Sequence, residues 1–376
     1  MSMGYMGFAK FYLASSGGTP STPLLLLATG ASVNLTLEPI LSTAVWGAGW
    51  YNAASTSHYG DGPLRYEGSI DIELQGTNEL WNFIRDWGIE YRAFPMSADI
   101  SPDGRRVYSF YTDGDYSIGS HNTNSFTNNG MYCTSLGFAT SEGSFVTVSC
   151  GALGLHRVMT LLTGAGGHGG PYIENRLGVT LPSELCTTFP LNPSSANISP
   201  IPFWRTNANL LDLGVTTYPN YPTYTPFVSG SVFQSDLETV EWSVDITNNQ
   251  VLLYTCDGDR EATAVLMGAM DASGSVTLFS PSGVFDPILG PTGTEGTEEN
   301  PYLYAQRTIF RVEIERDPAS ANPVYIELPA VLVTADDYGL RGQNDVTNRG
   351  FTIQGLGGRT DCSSVIYPPA IMSNAT

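Results

Sequence analysis

Apolar and polar residues alternate with a period of two in four separate stretches of the chain. In residues 31 to 38, Val33, Leu35 and Leu37 share one side and Ser32, Asn34, Thr36 and Glu38 the other, the pattern of a strand buried on one face. Residues 68 to 75 repeat it, with Ile70, Ile72 and Leu74 opposed to Ser69, Asp71, Glu73 and Gln75. Farther on, Val240, Trp242, Val244 and Ile246 alternate with Glu241, Ser243 and Asp245, and Phe310, Val312 and Ile314 with Arg311, Glu313 and Glu315. Strands are also expected over Tyr132 to Phe138 and Ser144 to Cys150. All four alternating stretches carry carboxylates on the polar side.

One segment has a different period. Leu80, Phe83, Ile84 and Trp87 recur at three- and four-residue spacing, which predicts a short amphipathic helix over Glu79 to Trp87, capped by Thr77 or Asn78 and stopped by Gly88. The run Leu24 to Ala28 is too short to span a membrane and is expected to be a core strand. Residues 101 to 130 are polar, with Asp-Gly and Asn-Asn-Gly turn signals, and predict a long hairpin.

Prolines 190, 193, 200, 202, 219, 222 and 226 crowd a region with few periodic apolar positions, so a Pro-rich junction is placed at 191–228, between a first β domain at 1–190 and a second at 229–376. The expected fold class is mainly β: two tandem β-barrel or sandwich domains, with one short flanking helix in the first. Laying Ala31 to Gln75 beside Val240 to Phe279 pairs an alternating strand, an irregular stretch and a strand opening with Gly-Ser (Gly68-Ser69-Ile70 and Gly274-Ser275-Val276). This suggests an internal duplication. Two unrelated β domains sharing strand-turn-strand grammar are the alternative.

Composition supports the β class. Glycine at 41 and proline at 24 residues favour short strands joined by turns, and 41% hydrophobic residues suffice for packed cores. The net charge of −20 comes from 36 acidic and 16 basic residues, with Lys10 the single lysine. Such a chain is a poor partner for phosphate backbones, whose affinity arises from Lys and Arg displacing counterions. Five cysteines (133, 150, 186, 256 and 362) form no CxxC pair and fit free thiols better than a disulfide framework.

Candidate chemistry is sparse. The histidines at 58, 121, 156 and 168 show neither HxH nor HExxH spacing, so no metal site and no cofactor are expected. The glycine-rich stretch 164–170 lacks the GxxxxGK[ST] form, and no Gly-x-Ser-x-Gly elbow occurs. The pairs Asp113/Asp115, Asp257/Asp259 and Asp336/Asp337 have turn chemistry as their first explanation. No catalytic residue is assigned, and an enzyme is not expected. Arg105-Arg106, the one adjacent basic pair, is a candidate inter-subunit contact.

Two segments carry a resemblance: Glu238 to Val251 followed by Gly268 to Leu278, and their first-half counterpart Arg65 to Leu74 with its following helix. Their arrangement resembles that of tail tube proteins of tailed bacteriophages. The resemblance implies a structural virion protein, assembled in the host cytoplasm, whose rings stack into a hollow tail tube; a chain with two such domains would close as a trimer with pseudo-sixfold symmetry. Partners would be further copies and other tail proteins, with double-stranded DNA passing through unbound. On this reading Glu38, Asp71, Glu73, Glu241, Asp245, Glu313 and Glu315 face the lumen, plain solvent exposure being the alternative. The polar loops Asp103 to Asn129 and Asp286 to Pro301 would then join ring to ring. A baseplate hub or tail-terminator ring is the related alternative. A carbohydrate-binding β module using Trp46, Trp50 and Trp204 is a third.

Overall fold

The computed structural model describes residues 9–15, 24–26, 28–37, 40–41, 59–60, 62–76, 78–89, 108–114, 123–162, 200–212, 231–232, 238–256, 259–279, 308–316, 323–338, 348–356 and 368–373. The chain is mainly β. Its strands are β1 (Ala9–Ser15), β2 (Leu24–Leu26), β3 (Ala28–Leu37), β4 (Ile40–Leu41), β5 (Tyr59–Gly60), β6 (Leu64–Glu73), β7 (Tyr108–Gly114), β8 (Thr123–Ser141), β9 (Thr147–Gly154) and β10 (His156–Leu162). They continue with β11 (Thr206–Asp212), β12 (Ser231–Val232), β13 (Glu238–Leu253), β14 (Ala264–Phe279), β15 (Thr308–Ile314), β16 (Val324–Leu328), β17 (Val331–Tyr338), β18 (Asn348–Gly355) and β19 (Ile371–Met372). The one α-helix among the described residues is α1 (Asn78–Ile84), prolonged by a π turn at Arg85–Ile89.

Twelve strands form one sheet, which divides along the 19 residues of β8. The N-terminal part of β8 pairs with β7 and β10, and β7 leads on to β1 and β2. The β7–β8 pairing falls in the polar stretch 101–130, apart from Met131, which pairs with Tyr108. The C-terminal part of β8 belongs to an eight-strand array ordered β3-β6-β9-β8-β13-β14-β18-β17, antiparallel throughout. A second sheet runs β12-β11-β15-β16-β19. Beside a two-stranded ribbon, β4-β5, these two are open sheets, and among the described residues none closes into a barrel.

The eight-strand array is built from one four-strand unit used twice. In chain order the first unit is β3, β6, β8, β9 and the second β13, β14, β17, β18; in space both run first-second-fourth-third. Finer details repeat at the same grid positions. Ser32 faces Ser69 and Ser243 faces Ser275, with hydroxyl oxygens 3.1 and 2.9 Å apart. The register slips between Ala28 and Gly30 in one unit and between Thr239 and Glu241 in the other, each slip starting four residues before that serine. A second slip falls between Cys133 and Ser135 and again between Val333 and Ala335, passing over Thr134 and Thr334. Ser32-Val33-Asn34-Leu35-Thr36 then corresponds to Ser243-Val244-Asp245-Ile246-Thr247. Bulges disrupt the ladder and are placed with purpose, so repeated bulges weigh more than the sparse identities.

Two separate tandem domains are not confirmed, because the halves share one core. Ile70, Ile72 and Leu74 from the first half are buried in the same cluster as Trp242, Val244, Ile246, Phe310, Val312 and Ile314 from the second. Within the Pro-rich stretch, Ile201 is buried and stitches two strand ends together: its N–H donates to Leu74 O at 2.8 Å and its carbonyl accepts from Val146 N–H at 2.8 Å.

The helix buries Leu80, Trp81, Phe83 and Ile84 on this core, and Trp87 follows from the π turn, stacked on Phe83 with centroids 5.3 Å apart. Gly88 does not stop the helix as expected. It sits inside the π turn against Leu136, where an added Cβ would overlap that side chain. Asn248 of β13 donates to Gly88 O at 2.7 Å and to Cys133 O at 3.1 Å, binding helix end, β8 and β13 together. Gln75, expected outward, is buried beside Pro200. Leu35 and Leu37, expected inward, are 49% and 39% exposed, because β3 is an edge strand and nothing described covers its far end.

A shared core predicts one unfolding transition. Trp87→Ala in the first half and Trp242→Ala in the second are each expected to cost about 3–5 kcal/mol and to shift that same transition in urea, followed by near-ultraviolet circular dichroism. Two transitions, each moved by one variant only, would show independently folding halves.

Candidate functional site: an acidic sheet face

The eight-strand array has one face against the core, and among the described residues the other face is bare. The bare face is a grid of hydroxyls, glycines and carboxylates. One row across the strands reads Asp71, Ser149, Gly137, Asp245, Ser273, Gln354. The next reads Glu73, Thr147, Ala139, Ser243, Ser275, Thr352, and a third includes Ser141, Glu241, Thr277 and Gly350. Strands are spaced about 4.8 Å apart, so Asp71 and Asp245 stand about 14 Å apart with only small groups between them.

The period of two explains the segregation. Ile70 and Ile72 bury in the core while Ser69 and Asp71, which alternate with them, are exposed, and Trp242, Val244 and Ile246 bury while Glu241 and Asp245 are exposed. Glu67 and Asp271 join the same face. Glu67 continues the polar phase of Ser69 and Asp71 by two residues, and Asp271 continues that of Ser275 and Ser273 on β14, a strand outside the four alternating stretches of the sequence. The face thus carries Glu67, Asp71, Glu73, Glu241, Asp245 and Asp271. Among the described side chains on it the one cation is Arg65, held by Glu67 at 2.7 Å.

Local contacts fix several carboxylates. Ser149 Oγ donates to Asp71 Oδ1 at 2.8 Å, and Asn249 Nδ2 donates to Asp271 Oδ2 at 2.7 Å. Asp245 lies over Gly137, directly opposite it, and an added Cβ there would come within 3.0 Å of Asp245 Oδ1. Partial burial raises the Asp245 carboxyl above its ordinary value.

Of the seven residues expected to act together, Asp71, Glu73, Glu241 and Asp245 share this face. Glu313 and Glu315 do not. Glu313 lies on β15 in the five-strand sheet, opposite Tyr325, and Glu315 just past the end of that strand. Their neighbour Arg311, also expected on a polar face, is buried with Glu327, its Nε donating to Glu327 Oε2 at 2.5 Å and its guanidinium lying over Tyr325. Glu38, Arg105 and Arg106 lie outside the described residues, as do Trp46 and Trp50. Trp204 is 73% exposed on the 3-10 turn Phe203–Arg205.

No group of three or more His, Cys, Asp or Glu side chains able to hold a metal ion occurs among the described residues. No described helix is long and apolar enough to cross a membrane. The cysteines described, Cys133, Cys150 and Cys256, are free thiols. Burial beside Cys133 and Asp71 raises the Cys150 thiol well above its usual value, the opposite of an activated nucleophile. No protein-family model and no curated sequence matches the chain.

The raised Asp245 carboxyl has a signed consequence. The folded chain holds that proton more tightly than the unfolded chain, so the ionised form opposes folding once pH rises through the raised value. Asp245→Asn is therefore expected to be more stable than the parent at neutral pH, by less than about 1 kcal/mol because the group is solvent-screened. The difference should vanish below the ordinary Asp range. Urea midpoints at the two pH values measure it, and a less stable variant at neutral pH would contradict it.

Proposed function

We propose that this chain is a structural subunit of a ring-forming assembly of the phage tail type, whose stacked rings form a hollow conduit lined by the acidic sheet face. The observation that carries this reading is the gathering of Asp71, Glu73, Glu241 and Asp245, from both halves of the chain, onto one bare sheet face with hydroxyl and glycine neighbours. A duplex sliding past such a wall meets no array of cations to displace its counterions, and like charge keeps it from adhering.

Curvature supports the inward placement. The helix and the five-strand sheet cover one face of the array only. When such a sheet curls, the bulkier layer belongs at the larger radius, which turns the acidic face inward. Three chains of eight strands make 24; at about 4.8 Å per strand and a tilt of 35–45°, such a ring has a backbone diameter of about 45–52 Å. That leaves an open channel once the inward side chains are added. In this reading the chain acts through assembly and surface charge and not as an enzyme. Its location is the virion tail and its partners are further copies and other tail proteins.

Negative-stain microscopy of the purified chain tests the reading directly. Stacked hollow tubes are expected; isolated rings would favour a hub or terminator, and a persistent monomer would remove the proposal. The charge argument has its own test. Tubes of the Asp71→Lys/Asp245→Lys variant are expected to retain linear duplex DNA in a salt-dependent way that parent tubes do not, as measured by co-sedimentation. Variant tubes that stay blind to DNA would remove the lumen assignment.

A further inference from the structure

From the repeated unit we infer that β17 of one chain docks onto β3 of the next, in the register of the joint that already links the two units inside each chain. This rests on the assembly reading above and specifies its interface. Within the chain, the last strand of the first unit, β8, meets the first strand of the second, β13, with Ser135–Ser141 antiparallel to Glu241–Thr247. The repeat makes β17 the counterpart of β8 and β3 the counterpart of β13. Among the described residues these two strands are the outer edges of the array, β3 pairing only with β6 and β17 only with β18. Each chain therefore presents both halves of a joint that it also contains in completed form.

Burial differs between the completed joint and the open edge. Ile246 and Asn248 on β13 are each 1% exposed, whereas their counterparts on β3, Leu35 and Leu37, are 49% and 39% exposed. The difference falls on the strand that lacks a neighbour. β3 is ten residues long and contains neither a charge nor a proline, and its one irregularity, the slip between Ala28 and Gly30, lies away from Asn34 and Thr36, so the stretch that would pair carries none of the devices by which natural edges avoid pairing. The two carboxylates of β17, Asp336 and Asp337, meet no like charge on β3.

The register follows from equivalent positions. Ser135 opposite Thr247 and Gly137 opposite Asp245 translate to Ala335 opposite Thr36, and Asp337 opposite Asn34, of the adjoining chain. A joint that carries the last strand of one unit to the first strand of the next is head-to-tail, so repetition produces a closed ring or an open helix according to the rotation at each step.

Paired cysteines test the register in the full chain. Oxidised Thr36→Cys/Ala335→Cys protein is expected to run as a ladder of covalent multimers on a non-reducing gel, with peptide mapping placing the bridge between positions 36 and 335 of different chains. The equivalent internal pair, Ser135→Cys/Thr247→Cys, is expected to bridge within one chain and serves as the geometric reference. The one-residue offset pair, Leu35→Cys/Ala335→Cys, points to opposite sheet faces and should yield no such bridge. Hollow particles that assemble without a 36–335 bridge would overturn this joint and leave the proposed function standing. A ladder without rings or tubes in the microscope would support the joint and remove the conduit. A monomer with no interchain bridge would overturn both.

Discussion

The antiparallel seam between β8 and β13 is the contact on which the rest of the structure depends. It joins the two four-strand units into one array, carries Trp242, Val244 and Ile246 into a core shared with Leu136 and Phe138, and leaves Glu241 and Asp245 on the opposite face. Strand side chains alternate with a period of two, so a slip of one residue would exchange these faces at once, burying carboxylates and exposing the tryptophan. Core and acidic face are two consequences of one register. Asn248 reinforces it from the side by donating to Gly88 O and Cys133 O, which would otherwise be buried carbonyls lacking those partners.

The second layer determines which face of the array is covered. Apolar residues of α1, the π turn, β11, β15 and β16 fill one face, leaving a broad surface of serine, threonine, glycine and acid on the other. Small side chains keep that surface low, and the Ser32–Ser69 and Ser243–Ser275 pairs satisfy hydroxyls without long side chains. The arrangement has an electrostatic cost. Asp245 is partly desolvated over Gly137 and its carboxyl is shifted upward.

Much of this was legible along the chain. The strict alternations at 68–75, 240–246 and 310–314 assigned strands and their inner faces, and the spacing of Leu80, Phe83, Ile84 and Trp87 assigned the helix, because hydrophobic period is a local property that survives folding. The Gly-Ser openings at 68 and 274 marked the duplication at the right pair of strands, although the two bulges and the serine pairs that make it convincing are properties of pairing between distant segments.

What the sequence by itself determined was therefore the class of structure, the polarity of each strand and the gathering of acids on the polar sides. Only the tertiary structure decided which polar sides meet. Glu313 follows the same alternation as Asp71 and Asp245, yet it lies on another sheet, and Arg311 beside it is buried against Glu327. Leu35 follows the same alternation as Ile246, yet on the edge strand β3 it is 49% exposed where Ile246 is buried. Alternation states that a strand has two faces; strand pairing, which joins residues hundreds of positions apart, decides what each face touches.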